Sequence, residues 1–274
     1  MKPRICVVQF PGVNCEYETA RALEKADMAA AVMRWNEPLE AYEKFDGFVL
    51  PGGFSYQDRV RAGAMAATDE VMEVIAGQAA GGKPVIGICN GAQVLVEAGL
   101  VPGLESGRVE MALAPNSGMG RGGYYCNWVY LKVSTTPART AATCDLEPGE
   151  ILPIPIAHGE GRFTSSAEGL FDRLEAGEQI VFKYCDPGGS PAESCPENPN
   201  GSEHMAAAIS NPAGNVVAMM PHPERCVCLR QVPGELAGPW GDRRLAARSS
   251  AAMEEDGPGA RVFRSMRRFI EEKS

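Results

Sequence analysis

Through the first third of the chain, short runs of apolar side chains alternate with segments whose apolar positions recur at helical spacing. Arg4–Gln9 (RICVVQ) is rich in β-branched residues and stops at Pro11-Gly12, which predicts a buried first strand. Glu18–Ala26 carries small or apolar residues at Ala20, Ala22, Leu23 and Ala26, a helical pattern. Ala29–Met33 and Gly47–Leu50 read as the second and third strands, and Pro84–Ile88 as the fourth. Between and after them, Thr68–Ala80, with Val71, Met72, Val74 and Ile75 on one face, and Ala92–Ala98 read as helices. Strands that alternate with helices build a parallel sheet through crossovers. Strands that are apolar at every position fit burial on both faces. The expected architecture is α/β, with a central, mostly parallel sheet flanked by helices.

The remainder is less regular. Val129–Val133, Gln179–Tyr184, Met205–Ile209 and Val216–Met220 read as strands, and Ala260–Lys273 as an amphipathic helix burying Val262, Phe263, Met266, Phe269 and Ile270. Two stretches rich in Pro, Gly and polar residues, 187–201 and 232–259, read as loops, the second an extended one. No repeat and no linker divides the chain, so residues 1–274 are expected to form a single domain.

Charge and composition narrow the function classes. The net charge of −9 argues against binding nucleic acid or an anionic membrane by bulk electrostatics. The cluster Arg261, Arg264, Arg267 and Arg268 reads as a solvated helix face. No apolar run approaches the ~20 residues of a membrane span, and no signal-peptide pattern follows the N-terminus, so a cytoplasmic protein is expected. The nine cysteines are scattered without a CxxC pair and there are only three histidines, so no metal site is expected and most thiols should be reduced and structural.

One cysteine stands apart by its context. In Lys83-Pro-Val-Ile-Gly-Ile-Cys-Asn-Gly-Ala-Gln-Val-Leu, a buried strand runs straight into a helix with Cys89 at the junction, flanked by Gly87 and Gly91. A side chain presented on so tight a turn needs small neighbours, and the helix N-terminus behind it favours a thiolate. The Asn90 N–H is placed to face an oxyanion. Far downstream, Pro221-His222-Pro223-Glu224 follows a strand. In an extended chain His222 and Glu224 share a face, which would give a base and its orienter and complete a triad with Cys89. A third strand end, Leu50-Pro-Gly52-Gly53, lets the backbone approach a ligand, and one of its N–H groups could complete an oxyanion hole.

Together, Gly87-x-Cys89-x-Gly91-x-Gln93 and the distant His222-x-Glu224 resemble the class I, or triad, glutamine amidotransferases, whose fold is flavodoxin-like. Phe10-Pro-Gly-Val-Asn-Cys15, Pro51-Gly-Gly-Phe-Ser-Tyr-Gln-Asp58, Pro155-Ile-Ala-His-Gly-Glu-Gly161, Asn198-Pro-Asn-Gly-Ser202 and Met219-Met-Pro-His-Pro-Glu-Arg225 are similar to the branch of that family serving phosphoribosylformylglycinamidine synthase. The resemblance implies catalytic Cys89, His222 and Glu224, oxyanion donors Gly53 and Asn90, and glutamine contacts from Gly52 and Gln93. It implies no cofactor in this chain, with ATP and magnesium on a large partner synthetase and a small bridging subunit alongside. Ammonia from glutamine would pass to that synthetase, which converts formylglycinamide ribonucleotide to formylglycinamidine ribonucleotide in purine biosynthesis. Where the family usually has glycine, this chain has Gln57. Rival readings are a glutaminase for another synthetase, a chaperone- or deglycase-type relative, and an inactive regulatory copy. His158 reads as a loop or interface residue and His204 as a surface one.

Overall fold

The uninterrupted apolar runs become the middle of a sheet. The computed structural model describes residues 1–117, 123–192 and 194–273. β1 (Arg4–Gln9) is followed by α1 (Glu16–Lys25), β2 (Ala29–Arg34), β3 (Gly47–Leu50), α2 (Glu70–Ala80), β4 (Val85–Ile88) and α3 (Asn90–Glu97). Every residue of β3 and β4 is buried, as strands covered on both faces must be. Next come β5 (Ala112–Ala114), β6 (Tyr125–Val133), β7 (Ile151–His158), β8 (Arg162–Thr164), α4 (Leu170–Ala176), β9 (Ile180–Cys185), β10 (Ala206–Ser210) and β11 (Val216–Met219). The chain closes with α5 (Pro239–Ala246), α6 (Ser250–Met253) and α7 (Ala260–Lys273).

Nine strands form one sheet in the order β2-β1-β3-β4-β11-β10-β9-β6-β7, and β5 pairs with β8 apart from it. From β2 across to β11 every junction is parallel. From β11 to β7 every junction is antiparallel. The sheet is therefore a parallel α/β half continued by an antiparallel extension.

The segment 232–259, expected as an extended loop, differs from that reading: it carries α5 and α6. Pro239 stands in the first turn of α5, where its missing N–H costs nothing, and the Ser249 hydroxyl accepts the Ala252 N–H to cap α6. In the loop 187–201, residue 193 lies outside the described residues. The α7 arginines all meet carboxylates: Arg261 with Asp145 and Glu150, Arg264 with Asp256, Arg267 with Asp27 and Glu271, Arg268 with Glu272. No helix among the described residues is long and apolar enough to cross a membrane.

Candidate active site

β3, β4 and β11 are neighbours and parallel, so their C-terminal ends share one edge of the sheet. That edge is where open α/β sheets place their sites. β4 delivers Cys89 as the residue that caps α3, with φ 52° and ψ −107°. Positive φ in a non-glycine residue is strained, and here it turns the side chain out of the sheet. The flanking glycines are required by close approach. A Cβ on Gly91 would overlap the Leu50 carbonyl of β3, and one on Gly87 would meet the Gly91 carbonyl. The Cys89 N–H donates to Met219 O at 2.8 Å, tying the turn to β11.

β11 delivers His222, whose own N–H donates to Pro155 O of β7 at 2.8 Å. His222 Nδ1 and Glu224 Oε1 are 2.5 Å apart, and the two residues are only 2% and 1% exposed. The pairing is as expected but the backbone is not. Residues Pro223–Cys226 form a 3-10 turn rather than an extended strand. Pro223, with its φ fixed by the ring, starts that turn, and the turn brings the carboxylate back under the imidazole.

Burial acts to lower the His222 pKa. The Glu224 carboxylate, then the sulfurs of Cys89 and Cys15, more than offset it, so the imidazole sits well above the ordinary histidine range. The Cys89 thiol makes a long contact, 3.6 Å, to Ala157 O. His222 Nε2 has no hydrogen-bond partner among the described residues. Cys89 and His222, the proposed nucleophile and base, are neighbours, the Cys89 sulfur lying close enough to raise the His222 pKa.

The diglycine loop after β3 faces them. Gly53, at φ 148°, forms an isolated bridge with Val13. The hydrogen bonds of that bridge run from Phe54 N–H to Gly12 O and from Asn14 N–H to Gly52 O, leaving the Gly53 N–H outside the pairing. Gly52 contacts the base instead of the cavity: a Cβ there would lie 2.7 Å from His222 Cε1 and 3.1 Å from Cys15 Sγ. The Asn90 side chain braces the loop, accepting from Ser55 N–H at 2.9 Å and donating to Gln93 Oε1 at 2.9 Å. Gln93 lines the cavity, but its amide is engaged, Nε2 donating to Glu160 O at 2.8 Å. Gln57, where the family usually has glycine, holds φ 60°.

Cys89, His222, Gly53 and Gln93 border a cavity of about 240 Å³ that also reaches Cys15, Asp58, Tyr124, His158, Glu160 and Arg225. The volume falls below the roughly 300–1,000 Å³ of sites for drug-sized ligands, which suits an amino acid. Asp58 and Glu160 give it an acidic wall; burial, then the Glu160 charge, raises the Asp58 carboxyl above its usual range. Sequence reasoning passed over these last residues as site members, although Cys15, Asp58, His158, Glu160 and Arg225 all stood in motifs it singled out.

His158 ends β7 and is buried, rather than standing in a loop. Asn116 Oδ1 accepts from Gly161 N–H at 3.1 Å, and its Nδ2 donates to His158 O at 2.8 Å, which fixes the amide's orientation. Nδ1 of His158, 3.1 Å from that same Oδ1, must therefore be the protonated nitrogen. Burial, reinforced by the nearby His222 charge, lowers its pKa to about 3, so the ring is a fixed neutral imidazole. His204 is partly exposed, with Nδ1 2.6 Å from Glu175 Oε2. All nine thiols are free; burial pushes those of Cys144 and Cys185 up to about 11, as inert structural thiols should be. Among the described residues, the group able to offer three metal ligands is Cys15, His222 and Glu224.

Residues 2–270 match the CobB/CobQ-like glutamine amidotransferase domain family. The chain belongs to that family. Among its relatives, the phosphoribosylformylglycinamidine synthase subunit PurQ of Methanothrix thermoacetophila is 45% identical over 275 residues, covering 98% of this chain and 99% of that protein. The protein of the same name from Thermomicrobium roseum is 43% identical over 222 residues, covering 81% of this chain and 87% of that protein. Among solved structures, a chain of PurLQS from Thermotoga maritima superposes with a TM-score of 0.72 at 32% identity, covering 98% of this chain and all of that one. The glutaminase domain of Trypanosoma brucei CTPS, at 16% identity and a TM-score of 0.54, shares the fold alone. This glutamine amidotransferase is thus an α/β enzyme with relatives of one name that cover between 81% and 98% of its length.

Proposed function

We propose that this amidotransferase hydrolyses glutamine through a thioester on Cys89 and passes the ammonia to the synthetase that makes formylglycinamidine ribonucleotide in purine biosynthesis. The observation that carries the reading is the juxtaposition of three parallel strand ends. They set Cys89 at a strained turn beside a His222–Glu224 pair closed to 2.5 Å.

The steps follow from the groups present. His222 accepts the Cys89 proton, and the sulfur adds to the glutamine amide carbon. The N–H groups of Asn90 and Gly53 hold the negative oxygen, each such donor contributing roughly 3–4 kcal/mol in the transition state. The C–N bond breaks as His222 returns the proton to the departing nitrogen, giving ammonia and a γ-glutamyl thioester. Water, deprotonated by His222, then releases glutamate. Glu224 keeps the imidazole oriented and stabilises its cationic form. The acidic wall of Asp58 and Glu160 suits the α-ammonium group of glutamine, while Gln93 acts by holding the Glu160 loop. Gly52 serves by letting His222 approach.

The partners are a large synthetase subunit and a small bridging subunit, in the cytoplasm. ATP and magnesium work on the synthetase, and this chain needs no cofactor of its own. The name PurLQS on the Thermotoga assembly and the PurQ relatives support this placement. The test is reconstitution with the synthetase. Cys89→Ala should abolish glutamine-dependent synthesis while leaving synthesis from free ammonia intact. Glutamine-dependent turnover near the unmodified level would rule the reading out.

A further inference from the structure

A second thiol lies against the base, and the hydrolysis just described does not use it. Cys15 is buried, 1% exposed. Its loop is clamped to the diglycine segment, with Asn14 N–H and Cys15 N–H both donating to Gly52 O at 3.3 and 3.2 Å. Cys15 Sγ, one ring nitrogen of His222 and one carboxylate oxygen of Glu224 all lie within 4.8 Å of one another. Two atoms of this buried group are orphans: His222 Nε2 and Glu224 Oε2 have no hydrogen-bond partner among the described residues. A buried carboxylate oxygen without a donor is costly, and the nearest arginine nitrogen to Glu224, Arg225 Nε, stands 4.0 Å from its other oxygen.

We propose that Cys15, His222 and Glu224 form an inhibitory site for a thiophilic divalent ion of the zinc class, which switches the enzyme off by withdrawing His222 from Cys89. A thiolate, an imidazole and a carboxylate select zinc or cadmium and reject magnesium. Tetrahedral zinc with ligands at its usual distances needs donor atoms roughly 3.3–3.8 Å apart. The donor atoms lie within 4.8 Å of one another, with His222 Nδ1 and Glu224 Oε1 at 2.5 Å, so the Cys15 and Glu224 side chains must rearrange to reach that range. On binding, Cys15 releases its thiol proton to solvent, and His222 offers a neutral imidazole nitrogen, releasing a proton only from its cationic form. Burial raises the Cys15 thiol above its ordinary range, so the ion binds against a proton it must displace.

Arg225 opposes and assists. Its Nη2 donates to Cys15 Sγ at 3.1 Å, which favours the thiolate but repels a cation. The same guanidinium holds Glu18 through Nε at 2.9 Å and can remain there when Sγ turns to the metal. Access is through the substrate cavity, which both Cys15 and His222 border. Glutamine and the ion should therefore compete.

The test is a cadmium titration of the full chain, following the cadmium–thiolate charge-transfer absorption. It depends on no assumption about the reaction, so its failure is distinct from failure of the proposed function. One tight site per chain is expected, retained in Cys89→Ser and weakened at least tenfold in Cys15→Ser. Magnesium should not compete. In the reconstituted complex, zinc should inhibit glutamine-dependent but not ammonia-dependent synthesis, with the inhibition constant raised at least tenfold in Cys15→Ser relative to its own uninhibited rate. If Cys15→Ser does not fold, as judged by its circular dichroism, Cys15→Ala serves in its place. A tight site lost in Cys89→Ser and kept in Cys15→Ser would overturn the proposal, because the ion would then sit on the nucleophile. A tight site kept in both variants, or no tight site in the unmodified chain, would overturn it equally.

Discussion

The two halves of the sheet serve the site in different ways. The parallel half, β2 through β11, presents three strand ends at one edge, and the proposed nucleophile, base, orienter and oxyanion donors all come from them. The antiparallel half contributes none of these groups. It supplies the opposite wall: Ala157 O against the Cys89 sulfur, Pro155 O holding the His222 N–H, and the fixed neutral His158 beside Glu160. The parallel half thus holds the groups of the proposed chemistry, and the antiparallel half the shape and electrostatics around them. Separate mutations should be able to pull these contributions apart.

The largest expected effect is chemical and lies in the parallel half. Glu224→Gln should lower glutamine-dependent turnover by roughly 10³-fold or more while ammonia-dependent synthesis continues, since an amide leaves the histidine in the wrong tautomer. Steady-state rates with each nitrogen donor would measure it, and a change in KM alone would move Glu224 to the wall-forming class.

Next is packing. Alanine at Gly91 would collide with the Leu50 carbonyl, whereas at Gly161 it meets the His158 ring. Gly91→Ala should cost at or above the top of the ~1–3 kcal/mol typical of overpacking, and Gly161→Ala less. Urea unfolding of both would show it; equal losses would mean that the two halves are equally rigid at the site.

The smallest effect is pH-dependent and belongs to the antiparallel half. His158 titrates near 6.5 when unfolded and near 3 in the fold. As pH falls below 6.5 the unfolded chain takes up a proton that the native chain refuses, so stability drops with acidification. The slope reaches about 1.4 kcal/mol per pH unit from this group. His222 shifts the other way: its stabilisation is complete below 6.5 and fades as pH rises through its raised folded pKa, so it does not disturb that window. His158→Gln should flatten the stability profile between pH 6.5 and 4.5. An unchanged slope would show that His158 is not held neutral.

The same division explains what could be read from the sequence. β1 and β3 fall on the residues their apolar runs indicate, and β4 meets α3 at Cys89, because burial on both faces leaves an unbroken signal, while α7 is legible from the periodicity of its one apolar face. β7 was passed over for a physical reason. Ile151–His158 contains Pro153 and Pro155, which argue against a strand within a sheet, yet β7 is the last strand and needs no ladder partner on one side. With β7 unseen, the wall it builds from Ala157, His158 and the following Glu160 went unseen too. α5 was hidden by Gly238 and Pro239, which mark a helix start as readily as a loop. For His222 and Glu224 the pairing was legible from their spacing, but the 3-10 turn that creates it was not.

The central claim is that Cys89, and not the neighbouring Cys15, is the nucleophile. It is tested most directly by labelling the chain, with its synthetase partner, using a glutamine-like diazoketone, then mapping the modified peptide by mass spectrometry. The account predicts one adduct, on Cys89, suppressed by glutamine and absent from Cys89→Ser. An adduct on Cys15 or any other cysteine, or labelling that persists in Cys89→Ser, would contradict it.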